Sequence, residues 1–405
     1  MRPADTGGVV QPVLAGIVTA VVGFGGAFAV VLSGLRAVGA TPEQAASGLL
    51  VLCVTMGLAA IVLSVRSRMP ISIAWSTPGA ALLVSAGAVE GGWPAALGAF
   101  AVTGVLLALA GLWRPLGRWI AAIPAPIASA MLAGVLLTVC LAPARAVVET
   151  PLQIAPVILT WVVLLRVARR WAIPGALVAA AVVIAVDGGP VATDRAAPSL
   201  VFVTPVLDVR AIVGIALPLF VVTMASQNLT GLTVLRSFGY RVDTRPMLLT
   251  TGGLTVAGSP FGAHAINLAA ITAALAAGPD AHPDPARRWL AAATAGGAYV
   301  VIGAGVGLAT ALADAAPPML IEAVAGVALV ATLGSALAVA AADPEYRDAA
   351  IVTFVVSASA ITVAGISAPF WGLAAGLGLA ALRPARRPAA RPDTMQPWPP
   401  SRSSP

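Results

Sequence analysis

The chain has 405 residues, of which 59% are hydrophobic and only 10% are charged, and its formal net charge is +7. A soluble globular domain carries about 25% charged residues, so this composition excludes one and indicates a membrane protein. A nucleic-acid-binding protein is also excluded, because the basic residues lie in short loops between apolar runs and not on one face.

Apolar runs separated by charged or Pro/Gly-rich breaks predict fourteen membrane-spanning segments. The first seven are 9–35, 43–65, 71–87, 93–112, 123–141, 151–167 and 173–186. The last seven are 211–237, 246–257, 261–277, 288–312, 318–341, 346–364 and 369–382. The first run is longer than the apolar core of a cleavable signal peptide. We therefore expect an all-α polytopic membrane protein.

Seven predicted segments lie on each side of a polar connector. Because seven is odd, two consecutive copies must point opposite ways in the membrane, which is an inverted repeat. The predicted divisions are a first repeat (1–187), a connector (188–210), a second, inverted repeat (211–382) and a disordered cytoplasmic tail (383–405). The tail is rich in Pro and Arg, a composition that does not build a packed core.

The arginines predict the orientation of the chain, which contains no lysine. With both termini in the cytoplasm, the four arginines assigned outside are Arg36, Arg145, Arg195 and Arg210, and the other nineteen fall inside. Cytoplasmic loops of membrane proteins carry an excess of positive charge. This bias indicates a multi-pass protein of the inner membrane with cytoplasmic N- and C-termini.

The third segment cannot be an ordinary membrane helix. Pro70 opens it and Pro78 interrupts it, and proline removes an N–H donor and disfavours helix in the residue before it. Residues 71–75 therefore read as extended, and Ser76-Thr77-Pro78 reads as a helix start with a hydroxyl cap. The half-helix is expected to run from about Pro78 to Gly87.

The tenth segment repeats this pattern. We expect an extended stretch from Phe261 to Ala265 and a helix that starts near Asn267 and ends by Ala277. Broken segments at matching places in two halves indicate the binding site of a transporter, and half-helix N-termini attract anions. We therefore expect the two half-helix N-termini to face each other across one shared pocket. Taken alone, either segment is also compatible with a kinked helix or a re-entrant loop.

The eighth segment contains a polar cluster, Ser226-Gln227-Asn228-Leu229-Thr230-Gly231. Polar groups in the hydrocarbon region are expensive and need partners. They either join helices through hydrogen bonds or orient a polar substrate. His264 presents a similar choice, because it can relay a proton or simply bind broken backbone.

These patterns give one set of candidate substrate-binding residues, drawn from the broken segments, the polar cluster and one aromatic ring of the first segment. They are Trp75, Ser76, Thr77, Gly79, Gln227, Asn228, Phe261, Gly262, His264, Ala265, Ile266, Asn267 and Phe24. His264 is also the candidate for proton coupling. The sequence contains no metal-ligand cluster, phosphate loop or nucleophile–base pair, so we expect neither an enzyme nor a cofactor or metal.

Three strings carry a resemblance to a known family: PISIAWSTPGA (70–80), QNLTGLTVLRSFGY (227–240) and FGAHAINLAAIT (261–272). They resemble the benzoate:proton symporter family of the BenE type. The resemblance implies an inner-membrane carrier with fourteen segments in two inverted repeats, divided into core and gate domains as in bacterial uracil permeases. In those permeases acidic residues stand in the eighth and tenth segments, where this chain has Gln227-Asn228 and the region of His264.

Acidic residues in a binding site repel an anion, so their replacement in this chain is consistent with an anionic substrate. The resemblance therefore implies proton-coupled uptake of benzoate or a similar aromatic monocarboxylate across the lipid bilayer. A carrier of the same fold for a nucleobase or another small anion stays open, as does a passive channel. The sequence leaves open whether the protein forms a homo-oligomer.

Overall fold

The structure is a computed structural model that describes residues 8–191, 197 and 199–382. The predicted disordered tail, 383–405, and part of the predicted connector lie outside the described residues.

Apolar helices form most of the first half of the described chain. They are α1 (Val10–Gly25), α2 (Phe28–Ala37), α3 (Pro42–Ser67), α4 (Thr77–Ala86), α5 (Gly92–Leu112), α6 (Arg114–Ala121), α7 (Ala125–Cys140), α8 (Ala142–Glu149), α9 (Pro151–Val167) and α10 (Ala172–Asp187). A 3₁₀ turn, Arg169–Trp171, joins α9 to α10.

The second half is built in the same way. Its helices are α11 (Val209–Ala211), α12 (Leu217–Val222), α13 (Leu229–Ser237), α14 (Thr244–Gly258), α15 (Ile271–Ala277), α16 (Trp289–Ala304), α17 (Val306–Asp314), α18 (Leu320–Ala342), α19 (Arg347–Ala358) and α20 (Ala368–Ala381). Two π-helical stretches, Ile212–Ala216 and Thr223–Asn228, connect α11, α12 and α13 into one continuous helix. Short 3₁₀ turns cover Ser259–Phe261 and Pro285–Arg287.

Membrane-spanning length is clear for about half of the predicted segments. Among the described residues, six helical stretches are long and apolar enough to cross a bilayer, or seven if a pair bent by 52° counts as one span. They are Val10–Ala37, Pro42–Ser67, Gly92–Leu112, Ala125–Glu149, Val209–Ser237 and Leu320–Ala342, with the bent pair Pro285–Ala304 and Val306–Asp314. The expected polytopic, mostly helical membrane protein is confirmed. The number fourteen stays a prediction.

The thirteenth predicted segment, 346–364, is wrong at its C-terminal end. The helix stops at Ala358, and a hairpin of β3 (Thr362–Val363) and β4 (Ile366–Ser367) follows. Gly365 has a φ of +77°, which a residue with a side chain adopts only at a cost. The hairpin turn at this glycine replaces the last turns of the expected helix.

Two strands from opposite halves of the chain meet inside the helical bundle. β1 (Ile73–Trp75) pairs antiparallel with β2 (Ile266–Leu268), with Ala74 opposite Asn267. The ladder continues at both ends, because Ser76 N donates to Ala265 O and Ala269 N donates to Ser72 O, each at 2.9 Å. Non-helical backbone is tolerated at membrane depth only where its polar groups are paired inside protein. The strand pairing meets this requirement.

Glycines bring the long helices into backbone contact around this strand pair. A Cβ on Gly57 of α3 would lie 2.5 Å from the carbonyl oxygen of Gly296 of α16, and the reverse distance is the same. α5 packs along α14 in a similar way, with Gly104 against the backbone of Gly252. Small residues are the usual means by which helices in lipid pack closely.

Candidate functional site

The third segment has the predicted construction. β1 leads directly into α4, and Ser76 is the N-cap, with its Oγ accepting a hydrogen bond from Gly79 N at 3.1 Å. Pro78 lies in the first turn, where its missing N–H costs nothing. The same Ser76 hydroxyl lies 2.8 Å from Thr223 Oγ1, which ties the start of α4 to the π-helix 223–228.

The tenth segment has the predicted order, but its predicted boundaries are wrong. Phe261 belongs to a 3₁₀ turn, the strand is Ile266–Leu268, and the helix begins at Ile271 rather than near Asn267. Gly262 allows the turn, because its φ of +98° lies in the left-handed region. Asn267 sits in the ladder opposite β1, so it cannot cap a helix.

The starts of the two half-helices flank the strand pair at its two ends. α4 begins beside the start of β2, where Ser76 bonds Ala265, and α15 begins beyond Ala269, which bonds Ser72 at the start of β1. The prediction that the two helix starts face each other across one pocket is therefore wrong in this detail, because they lie at opposite ends of the strand pair. The first residue before α15 is Ala270, which has no side chain that could cap the helix.

His264 lies at the start of α4 and not at the start of α15. Its side chain is fully buried, and Nε2 lies 3.1 Å from the carbonyl oxygen of Ser76. A carbonyl only accepts, so Nε2 carries the hydrogen in this bond. Nδ1 is buried and has no hydrogen-bond partner among the described residues. The ring stands edge-on to Phe100, with centroids 6.2 Å apart.

Two asparagines hold the strand pair together. The amide nitrogen of Asn267, oriented toward β1, donates to the carbonyl oxygens of Ala74 at 2.9 Å and Trp75 at 3.2 Å. Asn228 lies on the other side, and its Oδ1 accepts a hydrogen bond from Leu268 N at 2.9 Å. Both side chains are fully buried. Each amide thus pairs backbone groups that the apolar surroundings would otherwise leave unpaired.

Gln227 is the polar side chain of the cluster that no described residue engages. It is half-buried in the π-helix 223–228 and makes no hydrogen bond within the described chain. This π-helix contacts α4, β2 and α7. Single π-helical turns are often found at functional sites. The amide of Gln227 therefore remains available to a ligand.

Two of the predicted aromatic residues come together and one does not. The ring of Phe24 lies 5.6 Å from that of Trp75 and 5.1 Å from that of Phe28. Phe261 instead packs edge-on against Phe202, 5.6 Å away. Phe24 is half-buried while Trp75 is buried, so Phe24 offers more free ring surface.

The remaining candidates form the backbone frame of the site. Thr77 and Gly79 belong to the first turn of α4, and Ala265 and Ile266 belong to the ladder. Gly262 lies against the ring of Trp93 and the backbone of Gly48. Ala265 and Ile266 make main-chain hydrogen bonds here, and Gly262 has no side chain to fill the space beside Trp93.

Several polar residues at the strand pair were not predicted. Thr223 bonds Ser76, and Thr255 Oγ1 accepts a hydrogen bond from Ile266 N at 3.2 Å. Thr223 precedes Gln227 by four residues on one helix, and this spacing could have identified Thr223 as a neighbour of the polar cluster. Ser72 Oγ is buried without a partner among the described residues, and only the fold reveals that it lies opposite Ala269.

Comparison with known proteins gives consistent relatives. The family model of the benzoate membrane transport protein, BenE, matches residues 8–382. The inner membrane protein YdcO of Escherichia coli (strain K12) is 37% identical over 366 residues, which cover 90% of this chain and 93% of the relative. A benzoate membrane transport protein of Acinetobacter baylyi is 27% identical over 371 residues, with the same coverage.

Solved structures share the fold at low identity. The transmembrane domain of the cyanobacterial bicarbonate transporter BicA superposes with a TM-score of 0.58 at 14% identity, covering 92% of this chain and 98% of that one. The murine Slc26a9 anion transporter, in its inward-facing state, gives 0.60 at 15% identity, covering 94% and 69%. These structures show a shared fold. The family match over residues 8–382 shows the rest: the chain is a membrane transporter and belongs to the BenE family of benzoate membrane transport proteins.

Proposed function

We propose that this transporter imports benzoate or a similar aromatic monocarboxylate together with protons, by alternating access. The observation that carries the proposal is the buried β1–β2 pair, which joins two half-helices beside an unpaired amide in a chain whose residues 8–382 match the benzoate transport family. Such discontinuous segments at membrane depth form the substrate sites of many secondary transporters.

The proposed architecture is fourteen segments in two inverted repeats, with a core that moves against a gate. Helix packing supports it. Segment 4 (α5) packs along segment 9 (α14), and segment 2 (α3) packs along segment 11 (α16). A shift by seven segments exchanges these two pairs, as expected for a two-fold related arrangement.

Loop contacts support the proposed orientation in the inner membrane. Contacts at the ends assigned to the cytoplasm are Gln11 with Asp280, Arg68 with Trp289 and Tyr240 with Pro285. Ion pairs between loops assigned outside are Arg36 with Asp314 and Arg210 with Glu90. Each of these contacts joins two loops or segment ends on the same predicted side. A miscounted segment would have placed partners on opposite sides.

The carboxylate is proposed to sit at the start of α4. First-turn N–H groups and the positive end of the helix dipole favour an anion there. Thr77 belongs to this turn, and Gln227 lies one turn along from Thr223, which touches the N-cap Ser76. The amide of Gln227 would donate to the carboxylate, and Phe24 and Trp75 would pack against the aromatic ring.

His264 is the proposed proton carrier. Its Nε2 holds the N-cap carbonyl of α4, and its Nδ1 is a buried acceptor without a partner among the described residues. A proton bound at Nδ1 would place positive charge next to the proposed carboxylate position. Binding of the anion would therefore favour protonation, which is the coupling that symport requires.

Uptake of labelled benzoate into proteoliposomes tests the proposal. We expect saturable uptake that an inwardly directed proton gradient stimulates and an uncoupler abolishes, with empty liposomes as the control. Unlabelled benzoate should compete, whereas uracil and bicarbonate should not. Uptake that does not respond to the proton gradient would contradict symport. A flux that does not saturate with benzoate concentration would indicate a channel.

A further inference from the structure

A cavity of about 860 Å³ lies between the end of α5, α6, the π-helix 223–228 with the first turns of α13, and the first turns of α14. Its volume is within the usual range of about 300–1,000 Å³ for small-molecule sites. The lining includes Arg118, Met224, Asn228, Leu232, Asp243 and Arg245. Arg118 of α6 and Arg245 in the first turn of α14 both lie between predicted segments that are assigned to the cytoplasmic side, which places the cavity on that side in the proposed orientation.

Positive charge dominates the mouth of this cavity. Arg118 and Arg245 are exposed, and neither forms an ion pair with any residue in the described ranges. Asp243 is the acidic side chain of the lining, and its Oδ1 accepts a hydrogen bond from Arg245 N as the N-cap of α14. Two guanidinium groups and one carboxylate leave a net positive mouth. A cleft lined by one sign of charge concentrates ligands of the opposite sign.

Asn228 connects the deep end of the cavity to the strand pair. Its Oδ1 holds Leu268 N, while its Nδ2 faces Met224 Sδ at 3.3 Å. A thioether sulfur is a weak acceptor, so the amide N–H groups are poorly satisfied. An anionic oxygen at the cavity floor would be a stronger partner than the sulfur.

We infer that this cavity is the cytoplasmic vestibule of the transport path. Arg118 and Arg245 bind a small monocarboxylate at its mouth, and Asn228 binds it at the floor. The identity of the carboxylate as benzoate rests on the proposed function. The same Asn228 side chain contacts the cavity and fixes β2. Occupation of the floor therefore acts directly on the backbone of the tenth segment.

Transport from the two membrane faces tests the role of the arginines. In inside-out vesicles, the double variant Arg118→Gln/Arg245→Gln should raise the KM for labelled benzoate about tenfold at low salt, because steering by charge is lost. In right-side-out vesicles the KM should stay within about twofold of wild type, since this face does not use the cavity. Arg241→Gln is the matched control, because Arg241 is exposed four residues before Arg245 and does not line the cavity. An unchanged KM from the cytoplasmic face would overturn the inference.

Thiol labelling tests the cavity without benzoate transport. Leu229→Cys, in a protein with Cys53→Ala and Cys140→Ala, places one thiol in the lining. The ratio of its modification rates by anionic and cationic methanethiosulfonates should fall about tenfold when both arginines become glutamine. An unchanged ratio would overturn the inference that this cavity is a vestibule for anions, whatever the substrate is. Failure of wild-type benzoate uptake together with a changed ratio would instead overturn only the proposed substrate.

Discussion

The side-chain oxygen of Asn228 accepts a hydrogen bond from the backbone N–H of Leu268 at 2.9 Å. This bond joins the π-helix of the eighth segment to the strand of the tenth, across forty residues of sequence. Both partners are fully buried. The polar cluster of the eighth segment is therefore part of the structural frame of the site as well as a candidate for ligand binding.

Replacing Asn228 should separate these two roles. Asn228→Leu leaves Leu268 N–H buried without a partner, and we expect a loss of about 1–3 kcal/mol of stability. Asn228→Asp keeps an acceptor and should unfold at a higher temperature than Asn228→Leu. Its carboxyl group should nevertheless weaken benzoate binding, because it places like charges together. Thermal unfolding in detergent and a binding assay on the same samples measure both effects. Equal unfolding temperatures for the two variants would contradict the structural role.

Gln227→Ala should affect binding alone. Gln227 has no hydrogen-bond partner among the described residues, so its loss leaves no buried group unpaired. A hydrogen bond to a charged ligand is worth about 1.5–3 kcal/mol, so the Kd for benzoate should rise by about tenfold or more. Thr233→Ala is the control, since its hydroxyl bonds its own helix at Leu229 O. Normal binding by Gln227→Ala would place the carboxylate elsewhere.

His264→Gln should uncouple benzoate from the proton. A glutamine amide can still donate to Ser76 O, but it cannot take up a proton near neutral pH. We expect benzoate binding to persist while the pH dependence of transport flattens and gradient-driven accumulation is lost. His264→Ala, which also removes the bond to Ser76, should change the pH profile and lower stability. A wild-type pH profile in His264→Gln would leave His264 with a structural role only.

Gly23 and Tyr299 should show compensation. A Cβ on Gly23 would collide with the Tyr299 hydroxyl and lie 3.2 Å from Thr272 Cγ2. Overpacking of this kind costs about 1–3 kcal/mol, so Gly23→Ala should lower stability and transport. Tyr299→Phe alone should be mild, because the hydroxyl has no hydrogen bond in the described part of the chain.

The double variant Gly23→Ala/Tyr299→Phe should recover much of the stability lost in Gly23→Ala, because the colliding oxygen is gone. Free energies of unfolding of the four proteins form a thermodynamic cycle that measures the coupling between positions 23 and 299. Additive effects would show that the two residues do not meet at this position.

The local sequence determined the third segment almost completely. Pro70 and Pro78 remove backbone donors, and Ser76 supplies a cap, so an extended stretch followed by a half-helix from Thr77 is the arrangement these residues favour. Long apolar runs likewise determined most helix positions, because burial in lipid requires about twenty apolar residues per span. The arginines between the segments predicted the side of the membrane on which each loop lies, because cytoplasmic loops carry an excess of positive charge.

Tertiary structure decided the tenth segment and the roles of its side chains. Asn267 reads locally as a helix start, yet pairing with β1 draws it into the ladder and moves the helix start to Ile271. No local signal fixes that register, because it depends on a strand almost two hundred residues away. The same long-range contact turns Asn228 toward Leu268 and leaves Gln227 free. Local chemistry sets where a backbone must break, but only the partner that satisfies the broken backbone decides which side chains remain for a ligand.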